Sequence, residues 1–316
     1  MSAIDVVVVS YNSETTLRGC VEQLATAPDI HVIVVDNASR DGSLETVGEL
    51  AVTAVALDTN RGFASGCNRG LAAGSAPAVL FLNPDARIEP DAVRRLAAVL
   101  DERTEAGLVA PRVLDDAGAL DYSLRRFPRL RSTYARAVFL HRIFPRQPWA
   151  DEVVRDPTAY GSAHAVEWIS GACVLARRRT LEEIGGWDEG FFMYGEDVDL
   201  CRRMQSAGWS VRFEPGAEVV HIGGVSAPRA QLLPTLAASR LRYARLHRSR
   251  PAAEADRVGI AFGELTHALL STKGPETRAG HWQALRAVCS RDAEAASRSA
   301  RRDAVPSTVE AGDAAK

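Results

Sequence analysis

Residues 4–12 read IDVVVVSYN, and this stretch decides the fold. A β-branched run without polar–apolar alternation is the pattern of a strand covered on both faces, as at the centre of a parallel sheet. Tyr11, Asn12 and Ser13 supply turn chemistry at its carboxyl end. The unit recurs downstream. Residues 31–35 (HVIVV) stop at Asp36 before the turn-rich NASRDGS, and 52–57 and 78–82 (AVLFL) read as two further short strands. Helical patterns over 14–25, 43–50, 64–73 and 90–100 fill the gaps. Strands alternating with helices predict βαβ units and a doubly wound, mostly parallel α/β sheet, whose ligands bind at the carboxyl ends of the strands. The polar clusters stand there: Ser10-Tyr11-Asn12, Asp36-Asn37, residues 58–68 and Asn83-Pro84-Asp85.

A dinucleotide fold would carry GxGxxG after the first strand, where this chain has SYNSETT. Gly62, Gly66 and Gly70 are spaced by four and follow the third strand, so a P-loop is absent too. Asp36 is placed to accept from a ribose hydroxyl or a base, and Tyr11 to stack on that base. A turn-capping Asp and a wall-packing Tyr fit equally well.

The second half centres on residues 190–209, GFFMYGEDVDLCRRMQSAGW. Glu196, Asp197 and Asp199 crowd a helix start, where unpaired N–H groups and the macrodipole attract negative charge, and Gly208 marks its stop. The spacing predicts a helix over 196–207, with Val198, Cys201 and Met204 buried and Asp199 paired to Arg202 or Arg203. The aromatic run before Gly195 would desolvate the adjacent carboxylates and raise their proton affinity toward that of a general base. Solvated helix caps are the plainer alternative. Upstream, 165–176 reads as strand, tight turn at Ser170-Gly171, strand, followed by a short helix over 179–184; a further strand covers 210–213 and leads to Val219-Val220-His221. Helices are expected over 231–247 and 256–270, and a disordered tail from about 290.

The chain of 316 residues is 46% apolar with a net charge of −2, enough for a large core and too acidic overall for a nucleic-acid partner to be favoured. Five scattered cysteines without a CxxC pair point to reduced, mostly buried thiols and give no zinc signature. No signal peptide opens the chain, and no run reaches the roughly 18 apolar residues of a spanning helix, so a cytoplasmic protein is expected. Between Tyr122 and Ala150 there are seven arginines, no acidic residue and five interleaved aromatics; residues 219–253 are similarly basic. Such segments suit phosphates or the inner face of a cell membrane, on which the protein would lie peripherally. A solvated basic face is the alternative, more readily for the second segment.

Taken together, VVVVSYN, VVDNASRDGS, NRGFASGCN, FLNPDA, WISGACVLARR, GGWDEGFFMYGEDVDLCRR and VVHIGG resemble, in order, the inverting GT-A glycosyltransferases of family 2, most closely the rhamnosyltransferase-like branch. The resemblance covers residues 4–224 and implies a nucleotide-binding half and an acceptor-binding half. It divides the chain into a transferase domain over 1–228, a helical extension over 229–289 and a tail over 290–316. Its implied donor is a nucleotide sugar, dTDP-L-rhamnose in the nearest branch, and its implied acceptor a lipid-diphosphate-linked GlcNAc in cell-wall polysaccharide synthesis. Ser10, Tyr11, Asn12 and Asp36 would hold the nucleoside, and Arg61 and Asn68 would border the donor. Asp85, in a motif where Asn83 replaces the usual first Asp, would hold Mg2+ or Mn2+ with His221. Asp197 would be the catalytic base, with Trp168, Gly171, Trp187 and Glu196 on the acceptor side. The arginines of 122–150 would meet the lipid diphosphate, and the helices after Gln231 could pack between subunits. Other donors, a small-molecule acceptor or a non-catalytic nucleotide-sugar scaffold remain alternatives. A sugar nucleotidyltransferase is disfavoured because residues 11–18 lack a glycine-rich loop with Arg.

Overall fold

The computed structural model describes residues 3–223 and 229–290. The first half comprises β1 (Ile4–Ser10), α1 (Leu17–Val21), β2 (Ile30–Asp36), β3 (Val52–Ala56), α2 (Phe63–Ala73), β4 (Ala78–Leu82), β5 (Ala86–Ile88), α3 (Pro90–Glu102) and β6 (Ala106–Leu114). There follow β7 (Leu124–Arg125), α4 (Leu130–Ala137), α5 (Leu140–Ile143), β8 (His164–Ala165), β9 (Trp168–Ile169), β10 (Cys173–Arg177), α6 (Arg178–Glu183), α7 (Glu196–Ser206) and β11 (Ser210–His221). Three helices close the described chain: α8 (Arg229–His247), α9 (Arg250–Leu270) and α10 (Pro275–Cys289).

The main sheet has nine strands in the order β3-β2-β1-β4-β10-β6-β11-β5, with β8 on β11. Strands β1 to β4 pair in parallel, β11 runs parallel to β6, and β10, β5 and β8 run the other way, so the sheet is mostly parallel as expected. Every residue of β1 is buried. Val6 and Val8 enter one core with Leu17, Val21 and Leu96; Val7 and Val9 enter a second with Cys67, Phe81 and Trp187. This double coverage explains the missing alternation. The glycine spacing in α2 has a packing reason: a Cβ on Gly66 or Gly70 would collide with the methyls of Val9 or Val7, so glycine lets the helix lie directly on β1.

Some expected elements shrink. The helix over 14–25 reduces to α1 and a single 3₁₀ turn at Leu24–Thr26, and that over 43–50 to the 3₁₀ turn Glu45–Val47. In the second case Ser43 is drawn into side-chain bonding with Asp41 and accepts Ser13 N–H at 2.8 Å, which competes with helix propagation. The turn at Ser170-Gly171 does not close a hairpin. It passes the chain from β9, paired with β7 in a small second sheet, to β10 in the main one. The segment 210–221 is one strand with a register shift between Glu214 and Glu218. Helix α10 has no counterpart among the individually expected helices, although it lies within the expected helical extension. The boundary at 228 and the tail beyond 290 lie outside the described residues.

Candidate active site

At the carboxyl ends of β1 and β2 the turns lock together. Asn12, in the left-handed region at φ 52°, donates its N–H to Ser39 Oγ at 2.9 Å and accepts Arg40 N–H on Oδ1 at 2.9 Å. Buried Asp36 accepts from Ser39 N–H at 2.9 Å and from Ser39 Oγ at 2.5 Å. Ser10 is fully buried with its hydroxyl unpartnered, and Tyr11 is half-buried beside it. Sequence reading left Asn37 without a role. Its side chain accepts Arg61 N–H at 2.9 Å and donates to Gly62 carbonyl at 3.1 Å, which shapes the turn that leaves Arg61 exposed. The signal was its place directly after Asp36.

Asn68 joins the two halves. Its amide donates to Trp187 carbonyl at 2.9 Å and Glu189 at 3.0 Å, and accepts Trp187 N–H at 2.9 Å. Phe63 N–H reaches Phe192 carbonyl at 2.9 Å. Trp187 sits in the second core, edge-on to Phe63 and Phe81 and 2% exposed, so its ring supports the loop from within.

The short strand β5 pairs antiparallel with the end of β11, setting Ala86 opposite His221. That register brings His221 Nε2 to 3.2 Å from Asp85 Oδ1 and to 3.3 Å from Asn83 Nδ2. A carboxylate oxygen and an imidazole nitrogen in direct contact are donors of the kind that would hold a divalent cation. Among the described residues no group of three or more His, Cys, Asp or Glu forms a self-sufficient metal cage.

Ahead of α7, Tyr194 and Gly195, at φ 65° and 89°, make a left-handed turn. The adjacent Asp197 is held by Val198 N–H on Oδ1 at 2.8 Å and by Gly171 N–H on Oδ2 at 3.2 Å. Burial raises its pKa above the ordinary carboxylate range, opposed by the Val198 N–H and by Arg125. Glu196 is raised as well, to about 8, by burial and then by Asp197, and its Oε2 is buried without a partner. Asp199, as expected, pairs with Arg203 at 2.8 Å, and also with His247 of α8 at 2.7 Å. Arg202 lies instead over the Phe127 ring. Helix α8 further grips the site loop through Arg242 to Asp188 at 2.8 Å and Ser239 Oγ to Met193 carbonyl at 3.0 Å.

Asp197 faces a cavity of about 470 Å³. Trp168, its indole N–H on Arg126 carbonyl at 2.8 Å, forms part of the wall, with Arg125 stacked over its ring at 5.5 Å. Glu196 and Trp187 do not line it. Arg136, one of the arginines of 122–150 that the resemblance sets toward the lipid diphosphate, and Arg240, for which no site role was expected, do line it. Among the described residues no helix is long and apolar enough to cross a membrane.

Comparison with known proteins gives the family and the fold. An N-acetylglucosaminyl-diphospho-decaprenol L-rhamnosyltransferase of Mycobacterium tuberculosis is 33% identical over 233 residues, covering 69% of this chain and 75% of that protein. Rhamnosyltransferase WbbL of Escherichia coli is 26% identical, covering 68% and 82%. A mannosyltransferase of Pyrobaculum calidifontis, solved with GDP-Man and Mn2+, superposes with a TM-score of 0.55 at 16% identity over 96% of this chain and 86% of its own, which bears on the fold alone. The architecture is the GT-A fold, and residues 5–157 match the family described as "Glycosyl transferase family 2". With the mycobacterial relative covered over three quarters of its length, the chain belongs to glycosyl transferase family 2.

Proposed function

We propose that this glycosyltransferase moves L-rhamnose from dTDP-L-rhamnose to a hydroxyl of a GlcNAc-diphospho-polyprenol with inversion at the anomeric carbon, and that Asp197 is its base. The observation that carries the reading is Asp197 itself: a carboxylate of raised proton affinity, anchored by two backbone N–H groups and facing a cavity. The sugar and acceptor come from the mycobacterial relative's name.

Asp36, Tyr11 and Asn12 hold the nucleoside, with the fully buried Ser10 behind them rather than in contact with it, and Arg61 borders the diphosphate. Asp85 and His221 hold a divalent cation, which when bound neutralises charge on the departing nucleoside diphosphate. Asp197 takes the acceptor hydroxyl proton as the oxygen attacks the anomeric carbon, and the diphosphate leaves from the opposite face with the bonding electron pair. Residues 1–228 form the transferase domain and 229–289 an extension completing the acceptor side. A lipid-linked acceptor places the enzyme peripherally on the inner face of the cell membrane.

The test is nucleoside diphosphate release from a panel of donors, with Mg2+ or Mn2+ and then with chelator, using a short-chain lipid-diphosphate GlcNAc as acceptor. Acceptor-dependent release from dTDP-rhamnose, lost on chelation, is expected. Release from another donor alone would overturn the sugar, and metal-independent turnover the role of Asp85 and His221.

A further inference from the structure

The cavity that reaches Asp197 carries more positive charge than glycosyl transfer to a neutral sugar hydroxyl requires. Arg125, Arg136, Arg240 and Arg248 line it, against Glu152, Asp197 and Asp256. Two pairs are closed: Arg240 with Glu152 at 2.9 Å and Arg248 with Asp256 at 2.7 Å. Arg136 reaches Asp151 only at 3.6 Å, and Asp151 is already held by Arg155 at 3.0 Å. A third of the Arg136 side chain is accessible, yet burial and then the neighbouring Arg240 lower its pKa, with Arg125 adding to the repulsion. Arg136 lines this cavity and the one adjoining it. Like-charged guanidinium groups in a desolvated wall are costly unless an anion joins them.

The remaining wall is apolar. Leu232, Leu233 and Leu236 of α8, Ile260 of α9 and the ring of Tyr243 line the same space. A second cavity, also of about 470 Å³, shares Arg136, Arg240, Leu233, Leu236 and Ile260 with the first, so the two spaces adjoin at the arginine pair. An anion site with apolar walls, set between Asp197 and a second space, suits a polyisoprenoid diphosphate, which joins an anionic head to an apolar tail.

We infer that Arg125, Arg136 and Arg240 bind the diphosphate of the lipid-linked acceptor, while the leucines of α8 with Ile260 hold its first isoprene units. The helical extension is then the acceptor-recognition element. The identity of the reaction rests on the reading above, but the binding chemistry is testable apart from it.

Farnesyl diphosphate, followed by tryptophan fluorescence with excess dTDP occupying the donor site, is the probe. Wild-type protein should bind it, and should bind farnesol at least 10-fold more weakly. Arg136→Gln and Arg240→Gln should each weaken farnesyl diphosphate about 10–100-fold, the range for losing a charge-assisted hydrogen bond, while dTDP affinity stays unchanged as the check on folding. Arg136→Lys should recover part of the loss. In turnover the Gln variants should raise KM for the lipid-diphosphate acceptor at least 10-fold more than KM for an alkyl β-GlcNAc acceptor. Equal binding of farnesol, variants that bind farnesyl diphosphate like wild type, or equal losses with both acceptors would overturn the inference. Binding that follows this pattern without rhamnosyl transfer would sink the reaction and keep the site. Transfer by an enzyme that ignores farnesyl diphosphate would do the reverse.

Discussion

The turns after β1 and β2 and the start of α7 both present carboxylates, and they treat them in opposite ways. Asp36 is buried inside a closed network with Ser39 that extends to Asn12. Glu196 is as buried, yet one of its oxygens has no partner, and with Asp197 beside it burial has driven proton affinity upward. The first arrangement suits recognition, since a satisfied network has one geometry and little reactivity. The second suits proton transfer, which needs a group poised near its titration point and leaves polar atoms unsatisfied to obtain it.

The contrast breaks most sharply at Asp197. Asp197→Asn removes the base and should lower kcat about 10²–10⁴-fold while the Kd for the donor, measured calorimetrically, stays within about twofold; retained turnover would end the base assignment. Next, His221→Ala should lower kcat/KM by about 10-fold or more and shift the Mn2+ titration of activity to higher concentration, whereas an unchanged titration would remove His221 from the cation site. On the recognition side, Asp36→Ala should weaken donor binding by about 10-fold with little change in kcat at saturation, because only binding common to ground and transition state is lost.

Two pH measurements sharpen the same comparison. Because Asp197 must be deprotonated to act and burial raises its pKa, kcat/KM should rise with pH through a limb lying above the ordinary carboxylate range. A limb near the usual value of 3.8 would show a solvated group instead. For Glu196 the folded-state pKa of about 8 exceeds the usual 4.5, so its neutral form stabilises the fold below about 4.5 and that stability is lost as pH climbs to about 8. Glu196→Gln abolishes this loss. It should be near neutral at low pH and stabilising at pH ~9 by on the order of 2 kcal/mol, roughly 5 °C in Tm. A difference independent of pH would contradict the buried-acid picture.

Much of the first half was legible in the chain because its determinants are local. The valines of β1, the turn residues after each strand and the helix start at Glu196 each carry their signal within a few residues. Local reading failed over 43–50, where Ser43 bonds to Asp41 and to a backbone N–H thirty positions away and the helix gives way. It also passed over α10 as a separate helix and over Arg240, which read only as a member of a basic segment; Arg136 was given a lipid-diphosphate role only as one of the seven arginines of 122–150.

By itself, then, the sequence determined the strand–helix alternation, the mostly parallel sheet, the polar strand ends and the acidic start of α7, since period and turn chemistry act over a few residues. The resemblance had paired Asp85 with His221, and tertiary structure supplied the β5–β11 register that joins them; it alone decided that Gly171 N–H anchors Asp197 and that Arg136 and Arg240 share one wall. Those meetings depend on strand register and helix packing between segments tens to more than a hundred residues apart, and such long-range geometry leaves no mark on either segment alone.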